Sequence, residues 1–527
     1  MKRILQLLLL LITFSAYSQT DSVTVDTVAD YQGWGWNVIV IENNYITLAV
    51  IPEIGGRILK YSLGSDTSMA VNPLQFGLTY PPEGPGHPYA TTWGYGGYKV
   101  WPAPQSRWNW PPPPTLAWGD YSYTLETFTN DSVVLFLESP VETVRAPDLR
   151  FQRRITVYSN SSRVKIDQIM INEGAAQDTW GVWDVTQSIV QHENTGDYNN
   201  FGVYFPVESV SDTWITGGAG ESAAFLGEVA DGIYGIEYAA DEGKIFAQVP
   251  EGWISHVDKR DSQTYIKSFD LFEGVSYPDN NAHVEVYISG SNPYLEIEVV
   301  SPLISLDAGG GEYSFTEDWY ATTLSGPTLH SNNVGAVEEA VEFDTVTSTL
   351  SGTVGSYYNG LLRISYKDTL SNSLGSETDV EVSPMSTILL DEQLTLPENT
   401  ASIDLEILDV NENLLGILAS VNLASEDEPD NPDNISEQGP AGQFDIILNK
   451  TVFSQSEVIE IQFSTSYPES CILEIYDMNG QLIKEIYNGK IHDYNVTRIP
   501  AGSFATGAYI LKSQTGNLTA VKKIIIK

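Results

Sequence analysis

The chain has 527 residues, and 26 Lys plus Arg against 69 Asp plus Glu give it a formal charge of −43. A surface this acidic repels nucleic acid and anionic lipid, which makes both poor candidates as partners. It does not exclude an acidic polysaccharide, because a local basic pocket or a bound cation reverses the sign. Cys471 is the only cysteine, so no intrachain disulfide can form and core burial has to stabilise about three domains.

Met1-Lys2-Arg3, the apolar run Ile4–Ile12 and Ala16-Tyr17-Ser18 before Gln19 predict a secretory signal peptide over residues 1–18. The run is shorter than the roughly 20 residues of a membrane span. No later segment is apolar enough to cross a bilayer, so the mature chain is expected to have no transmembrane segment.

All twelve tryptophans lie between Trp34 and Trp319, which marks a first domain at about residues 19–328. It reads as short alternating strands rich in β-branched and aromatic residues, among them Ile46–Ile51, Ser132–Glu138 and Tyr294–Val300. No amphipathic helix of ordinary length is predicted, and one large sandwich accounts for this length better than two small ones. Between Trp93 and Trp118 stand five tryptophans (Trp93, Trp101, Trp108, Trp110 and Trp118) among glycines and prolines, without helix or strand periodicity. The Pro111–Pro114 run is expected to be stiff and extended and to hold flanking rings at fixed positions. Flat rings beside hydrogen-bonding groups suit a ligand with C–H faces and many hydroxyls, such as a sugar. Packing of the same rings as the cap of a β-domain core is the other reading.

Residues 329–424 keep the strand pattern without tryptophan, at the size and rhythm of an immunoglobulin-like sandwich. Residues 425–442 (SEDEPDNPDNISEQGPAG) are acidic and rich in Pro and Asn, and read as a linker. A third β-unit follows at 443–527, with a tight Asn-Gly hairpin turn at Met478–Gln481. Its Ile475-Tyr476-Asp477-Met478-Asn479-Gly480, Gly507-Ala508-Tyr509-Ile510-Leu511 and closing Lys522-Lys523-Ile524-Ile525-Ile526-Lys527 resemble the type A sorting domain of the type IX secretion system. The start departs from that family, with Asp445–Lys450 where a Pro-Asn-Pro is frequent. The resemblance implies a Bacteroidetes-type cell, passage through the periplasm, handling by the type IX machinery, and a secreted or surface-held product.

In the first domain, Val50-Ile51-Pro52-Glu53-Ile54-Gly55-Gly56-Arg57-Ile58, Gly96–Gln105, Trp183-Asp184-Val185-Thr186-Gln187 and Asn292–Pro302 are similar to the DUF4380 family, relatives of galactose mutarotases. The resemblance implies an all-β architecture: a large galactose mutarotase-like β-supersandwich, then the immunoglobulin-like sandwich and the small C-terminal β-sandwich sorting domain. It also implies a general base for the anomeric hydroxyl proton and an acid for the ring oxygen, carried in mutarotases by a late-strand glutamate and a histidine. Period-two alternation puts Tyr294, Glu296 and Glu298 on one face of their strand, and Glu298 is the first candidate base. Asp184, His192 and Lys99 are the other candidate proton carriers. None of the six histidines has the Asn-x-x-x-His-Gly context of a mutarotase; His87 is read as a loop residue over the pocket.

Arg57, Trp93, Tyr98, Trp101, Gln105, Trp108, Trp110, Trp183 and Gln187 are the candidate substrate-binding residues. Arg57, after a Gly-Gly turn, offers a fork for a sugar acid or vicinal hydroxyls, or alternatively a salt bridge to Glu53. Alternation divides the 183–187 strand, with Trp183 and Gln187 on one face and Asp184 on the other. No cofactor is implied, and no His pair or Cys/His cluster has metal-ligand spacing. Two classes stay open: a secreted carbohydrate-active protein with acid–base chemistry of the aldose 1-epimerase type, and a non-catalytic glycan-binding or structural surface protein.

Overall fold

The computed structural model describes residues 22–191, 200–215, 222–272, 274–370, 372–376, 379–423, 445–448, 452–453, 458–464, 469–477, 482–491, 494–515 and 518–527. The expected signal peptide, His192, the acidic linker and the Met478–Gln481 turn lie outside these residues. Two large antiparallel sheets dominate the described residues between 24 and 322. One runs in the order Thr24–Ala29, Asn37–Glu42, Ile46–Ile51, Arg57–Leu63, Gly97–Ala103, Asp178–Ile189, Tyr294–Val300, Val284–Ile288, Gly243–Ala247 and Thr213–Trp214. The other includes Trp253–Asp258, Gln263–Phe269, Gly311–Thr322, Val164–Asn172, Leu149–Tyr158 and Ser132–Glu138. Among the described residues, the two helices span only Pro114–Trp118 and Pro278–Asn281.

Alternation is the cause of this layering. Along Leu149–Tyr158 every second side chain is buried, so the strand has one apolar face and one wetter face. Val100, Val182, Ile297, Val299, Val133, Ile155, Ile166 and Phe315 belong to one continuous core.

Four ionisable side chains, Asp184, Lys267, Glu317 and Arg153, are sealed inside this sandwich. Asp184, on the Asp178–Ile189 strand of the first sheet, accepts a hydrogen bond from Lys267 of the second. Lys267 also lies 3.9 Å from Glu317, which accepts from the Tyr98 hydroxyl. Tyr98 in turn accepts from Gln168, and Gln168 accepts from Arg153 Nε at 3.1 Å. Burial and the neighbouring Glu317 push the Asp184 carboxyl well above the ordinary range, against the pull of Lys267.

Beyond residue 329, a four-stranded and a five-stranded sheet enclose a separate core that includes Val354, Leu362, Ile364, Leu405 and Ile407. This unit is joined firmly to the first: Tyr320 stacks on Tyr357 at 4.3 Å and Ser162 N donates to Tyr357 O at 2.9 Å. The last segment forms a three-stranded and a five-stranded sheet around Ile459, Leu473, Ile475, Leu511 and Ile524. Its strands Glu469–Asp477 and Leu482–Ile491 pair antiparallel on either side of the predicted Asn-Gly turn.

Replacing Lys267 with Met leaves the Asp184 and Glu317 carboxyls together in the core without their cation. The loss is expected to be about 3–5 kcal/mol, the usual range for breaking a buried ion pair. Tryptophan fluorescence during urea unfolding reads this domain alone, since all twelve tryptophans lie in it. A midpoint no lower than that of Lys165→Met, whose ion pair lies at the surface, would contradict the role given to Lys267.

Candidate functional site

The outer face of the first sheet, turned away from the second, carries a row of charges set by strand register. Lys99 stands opposite Val185, and Val185 opposite Glu298, which in turn stands opposite Glu285. One step along, Gln187 pairs with Glu296, and Glu296 with Tyr287. Tyr294, Glu296 and Glu298 therefore share a face, as alternation predicts. Trp101 and Trp183 extend the same face, directly opposite each other.

Two ion pairs organise this row. Lys99 Nζ donates to Glu296 Oε1 at 2.8 Å; the Lys99 side chain is only 2% exposed, whereas Glu296 is 14% exposed and opens towards solvent. Burial of its ammonium pulls Lys99 down to about 8, against the attraction of Glu296, and the nearby Arg57 guanidinium adds to the fall. Lys244 Nζ, the second cation, is 2.6 Å from Glu285 and 2.9 Å from Glu298. Glu298 Oε2 also accepts from Trp183 Nε1 at 2.7 Å, which leaves this candidate base fully buried and engaged. Burial pushes the Glu285 carboxyl well up, with Lys244 opposing.

Arg57 enters the site through the Gly55-Gly56 turn. Gly55 has φ +87°, and a Cβ there would come within 2.6 Å of Ala117 O, so the turn can pack directly onto the Pro114–Trp118 helix. Gly97, at φ +63°, lets its strand approach the Arg57 strand; a Cβ would sit 2.2 Å from Ile58 O. Arg57 itself is fully buried and donates to Gly96 O at 2.9 Å, Ala117 O at 3.1 Å and the Tyr89 hydroxyl at 3.2 Å. The salt bridge to Glu53 does not form; Glu53 instead accepts from Asn37 at 3.1 Å.

Tyr89 is the hub of the aromatic cluster over this row. Its ring lies 5.1 Å from Trp110, 6.2 Å from Trp101 and 6.2 Å from Trp118. Trp101 makes edge contacts with Trp108 and Trp183 as well, and Lys99 lies 5.0 Å from its ring centre. His87 stacks on Trp118 at 5.9 Å, with burial lowering its pKa. On the other flank, Trp93 stacks on Tyr294 at 5.0 Å.

The tryptophan-rich stretch is thus a packed cluster rather than an open shelf of rings. Trp101, Trp108, Trp118 and Trp183 are buried, Trp93 is half-buried, and Trp110 is 51% exposed. The physical reason is anchoring. Trp108 Nε1 donates to Pro102 O at 2.7 Å, and Arg145 Nη1 donates to Trp108 O at 2.8 Å. Buried Glu142 accepts from Thr115 N at 2.8 Å, which fixes the start of the Pro114–Trp118 helix. Pro114 opens that helix, so the Pro-rich run is not extended throughout.

Of the residues singled out from sequence, Lys99, Arg57, Trp101, Trp108, Trp110, Trp183, Glu298, Trp93 and Gln187 meet on this side. Gln187 donates to Trp93 O at 3.4 Å. Gln105 is half-buried and begins a short turn at Gln105–Arg107 beside Trp108. Asp184 and Tyr98 are separated from all of these, on the inner face, in the ionic network between the sheets. Their neighbours on the strands point outwards, so alternation alone forces the separation. His192 is outside the described residues. Sequence reasoning missed Lys244, Glu285 and Tyr89. Lys244 and Glu285 carry the same outward alternation as Glu298, which is the signal that could have found them.

Comparison with known proteins follows the same division of the chain. Residues 455–527 match the secretion system C-terminal sorting domain, which marks the chain for type IX export to the cell surface or beyond. No helix among the described residues is long and apolar enough to cross a membrane. No curated protein matches. Similar solved structures include a galactose mutarotase-like protein from Clostridium acetobutylicum, at 11% identity over 58% of this chain and 99% of that one, with a TM-score of 0.38. A galactose mutarotase-like protein from Lactobacillus casei has 10% identity over 54% and 99%, with a TM-score of 0.37. A galactose mutarotase related enzyme from Lactobacillus acidophilus has 12% identity over 55% and 100%, with a TM-score of 0.35. Residues 37–322, more than half of the chain and all of the site just described, match the domain of unknown function DUF4380, and the chain belongs to that family.

Proposed function

We propose that this exported protein binds a saccharide on the outer face of its first sheet, with Lys99 and Glu296 at the point of contact and Trp110 as the exposed ring. The observation that carries the reading is the Lys99–Glu296 pair: a lysine titrating near 8 beside a partly open carboxylate, enclosed by aromatic side chains. At neutral to mildly alkaline pH such a lysine holds or releases a proton readily, and a carboxylate 2.8 Å away can exchange it. That combination suits proton transfer to or from a sugar hydroxyl or ring oxygen, as in aldose 1-epimerase chemistry. The ring of Trp110 offers a flat apolar surface to the C–H face of a sugar, while the buried rings behind it hold that surface in place.

Binding without turnover is the second reading, and one observation favours it. Glu298, the expected base, is engaged by both Lys244 and Trp183 rather than free to take a proton.

A glycan array probed with the full chain, followed by calorimetry on each hit, tests the binding. Trp110→Ala is expected to weaken binding about tenfold, equivalent to about 1.4 kcal/mol, with the fold retained and only a small fall in melting temperature, because that ring is half exposed although it packs on Tyr89. Complete absence of glycan binding contradicts the proposal. Interconversion of the α and β anomers, followed by NMR at the reducing end, separates the two readings: acceleration that is lost in Glu296→Gln supports turnover, and no acceleration supports binding alone.

The Lys99 titration is measurable directly. In a 13Cε-lysine NMR series its signal is expected to move with a midpoint near pH 8, separate from the surface lysines. From about pH 8 to 10.5 the unfolded chain binds a proton that folded Lys99 has released, so this group's contribution to stability rises with pH across that window. A midpoint above 10 contradicts the described burial of the ammonium.

A further inference from the structure

Around Tyr89, several buried hydrogen-bond donors have no acceptor. The guanidinium of Arg57 is fully buried, yet its partners are two backbone carbonyls and one phenol, all neutral. Arg57 forms no ion pair with any described residue, and its Nε has no acceptor. The indole N–H groups of Trp101 and Trp118 are buried without an acceptor as well. These three groups can only donate, and leaving them dry and unpaired is unfavourable. Lys99, next to them, is a second buried cation, and the proximity of Arg57 is one reason that its proton is loosely held. Lys99 has its counter-charge in Glu296, so what is missing is an acceptor for these donors and an anion for Arg57.

A neutral sugar corrects this only in part, since every hydroxyl that accepts also brings a proton of its own. A carboxylate has acceptors alone and carries the missing charge, and arginine is well shaped to receive it. We infer that the saccharide held at this face is acidic, with the carboxylate of a uronic acid residue received at Arg57 and Lys99. This inference rests on the reading that the face binds sugar, and it adds the substrate class. The chain's overall charge of −43 does not oppose it. At physiological salt, distant surface charges are screened over about 8 Å, whereas the buried cations act at contact.

The test uses the full chain and calorimetric titration. The probes are galacturonate, mannuronate and glucuronate oligosaccharides, their methyl esters, and the matching neutral galactose, mannose and glucose oligosaccharides. At least one free acid is expected to bind about tenfold or more tighter than its own methyl ester and its neutral counterpart, the scale of a charge-assisted contact. The methyl ester removes the charge from the ligand, so this comparison needs no protein variant. Lys99→Met, which keeps the side-chain volume, is expected to erase most of the difference in affinity between the acid and its own methyl ester, a comparison made within the variant. Equal binding of acid, ester and neutral sugar overturns the acidic assignment and leaves the saccharide reading standing. The failure of every saccharide to bind overturns both.

Discussion

The site depends on the division of polar residues between the two faces of three neighbouring strands. On Asp178–Ile189, Trp183 and Gln187 face outwards while Asp184 faces the second sheet. On Gly97–Ala103, Lys99 and Trp101 face outwards while Tyr98 turns inwards. The inner set joins Lys267, Glu317 and Asp184 into a buried network that ties the sheets together. The outer set forms the charged row of the candidate site. A single register shift would exchange the two sets, placing unpaired charges in the core and apolar residues at the site. Continuous pairing through seven residue positions with Gly97–Ala103 on one side and with Tyr294–Val300 on the other fixes the register of Asp178–Ile189.

Rigid support around this row explains the chemistry of Lys99. Gly55 and Gly97 permit backbone approaches that a side chain would block, and these bring Arg57 and Lys99 close to one aromatic cluster. Glu142, Arg145 and the Pro114–Trp118 helix then hold the tryptophan-rich stretch over them. Each fully buried large apolar side chain adds on the order of 1.5–3 kcal/mol. Trp101, Trp108 and Trp118 therefore stabilise the cover, and they also exclude the water that would otherwise solvate the Lys99 ammonium. Its low pKa is a direct result of that packing.

Much of this was legible from residues taken in order. The strands Ile46–Ile51, Ser132–Glu138 and Tyr294–Val300 have the predicted ends, because each is a run rich in β-branched and apolar residues flanked by Asn, Asp, Ser or Pro that favour turns. The opposed orientation of Trp183 and Asp184 also follows from periodicity alone. Partner choice did not follow. Glu298 pairs with Lys244, 54 residues away in sequence, and nothing local to either residue signals the contact. The tryptophan-rich stretch was ambiguous for a different reason. Proline and glycine remove the periodicity that would reveal which rings point inwards, so burial there is decided by long-range anchors such as Arg145 and Glu142.

The most direct test of the account is a crystal structure of the protein with a saccharide bound. A sugar ring against Trp110, with its polar groups within hydrogen-bond distance of Lys99 and Glu296, is the predicted result. A saccharide seated elsewhere on the molecule, with the Lys99–Glu296 pair untouched and Trp110 facing solvent, would contradict it.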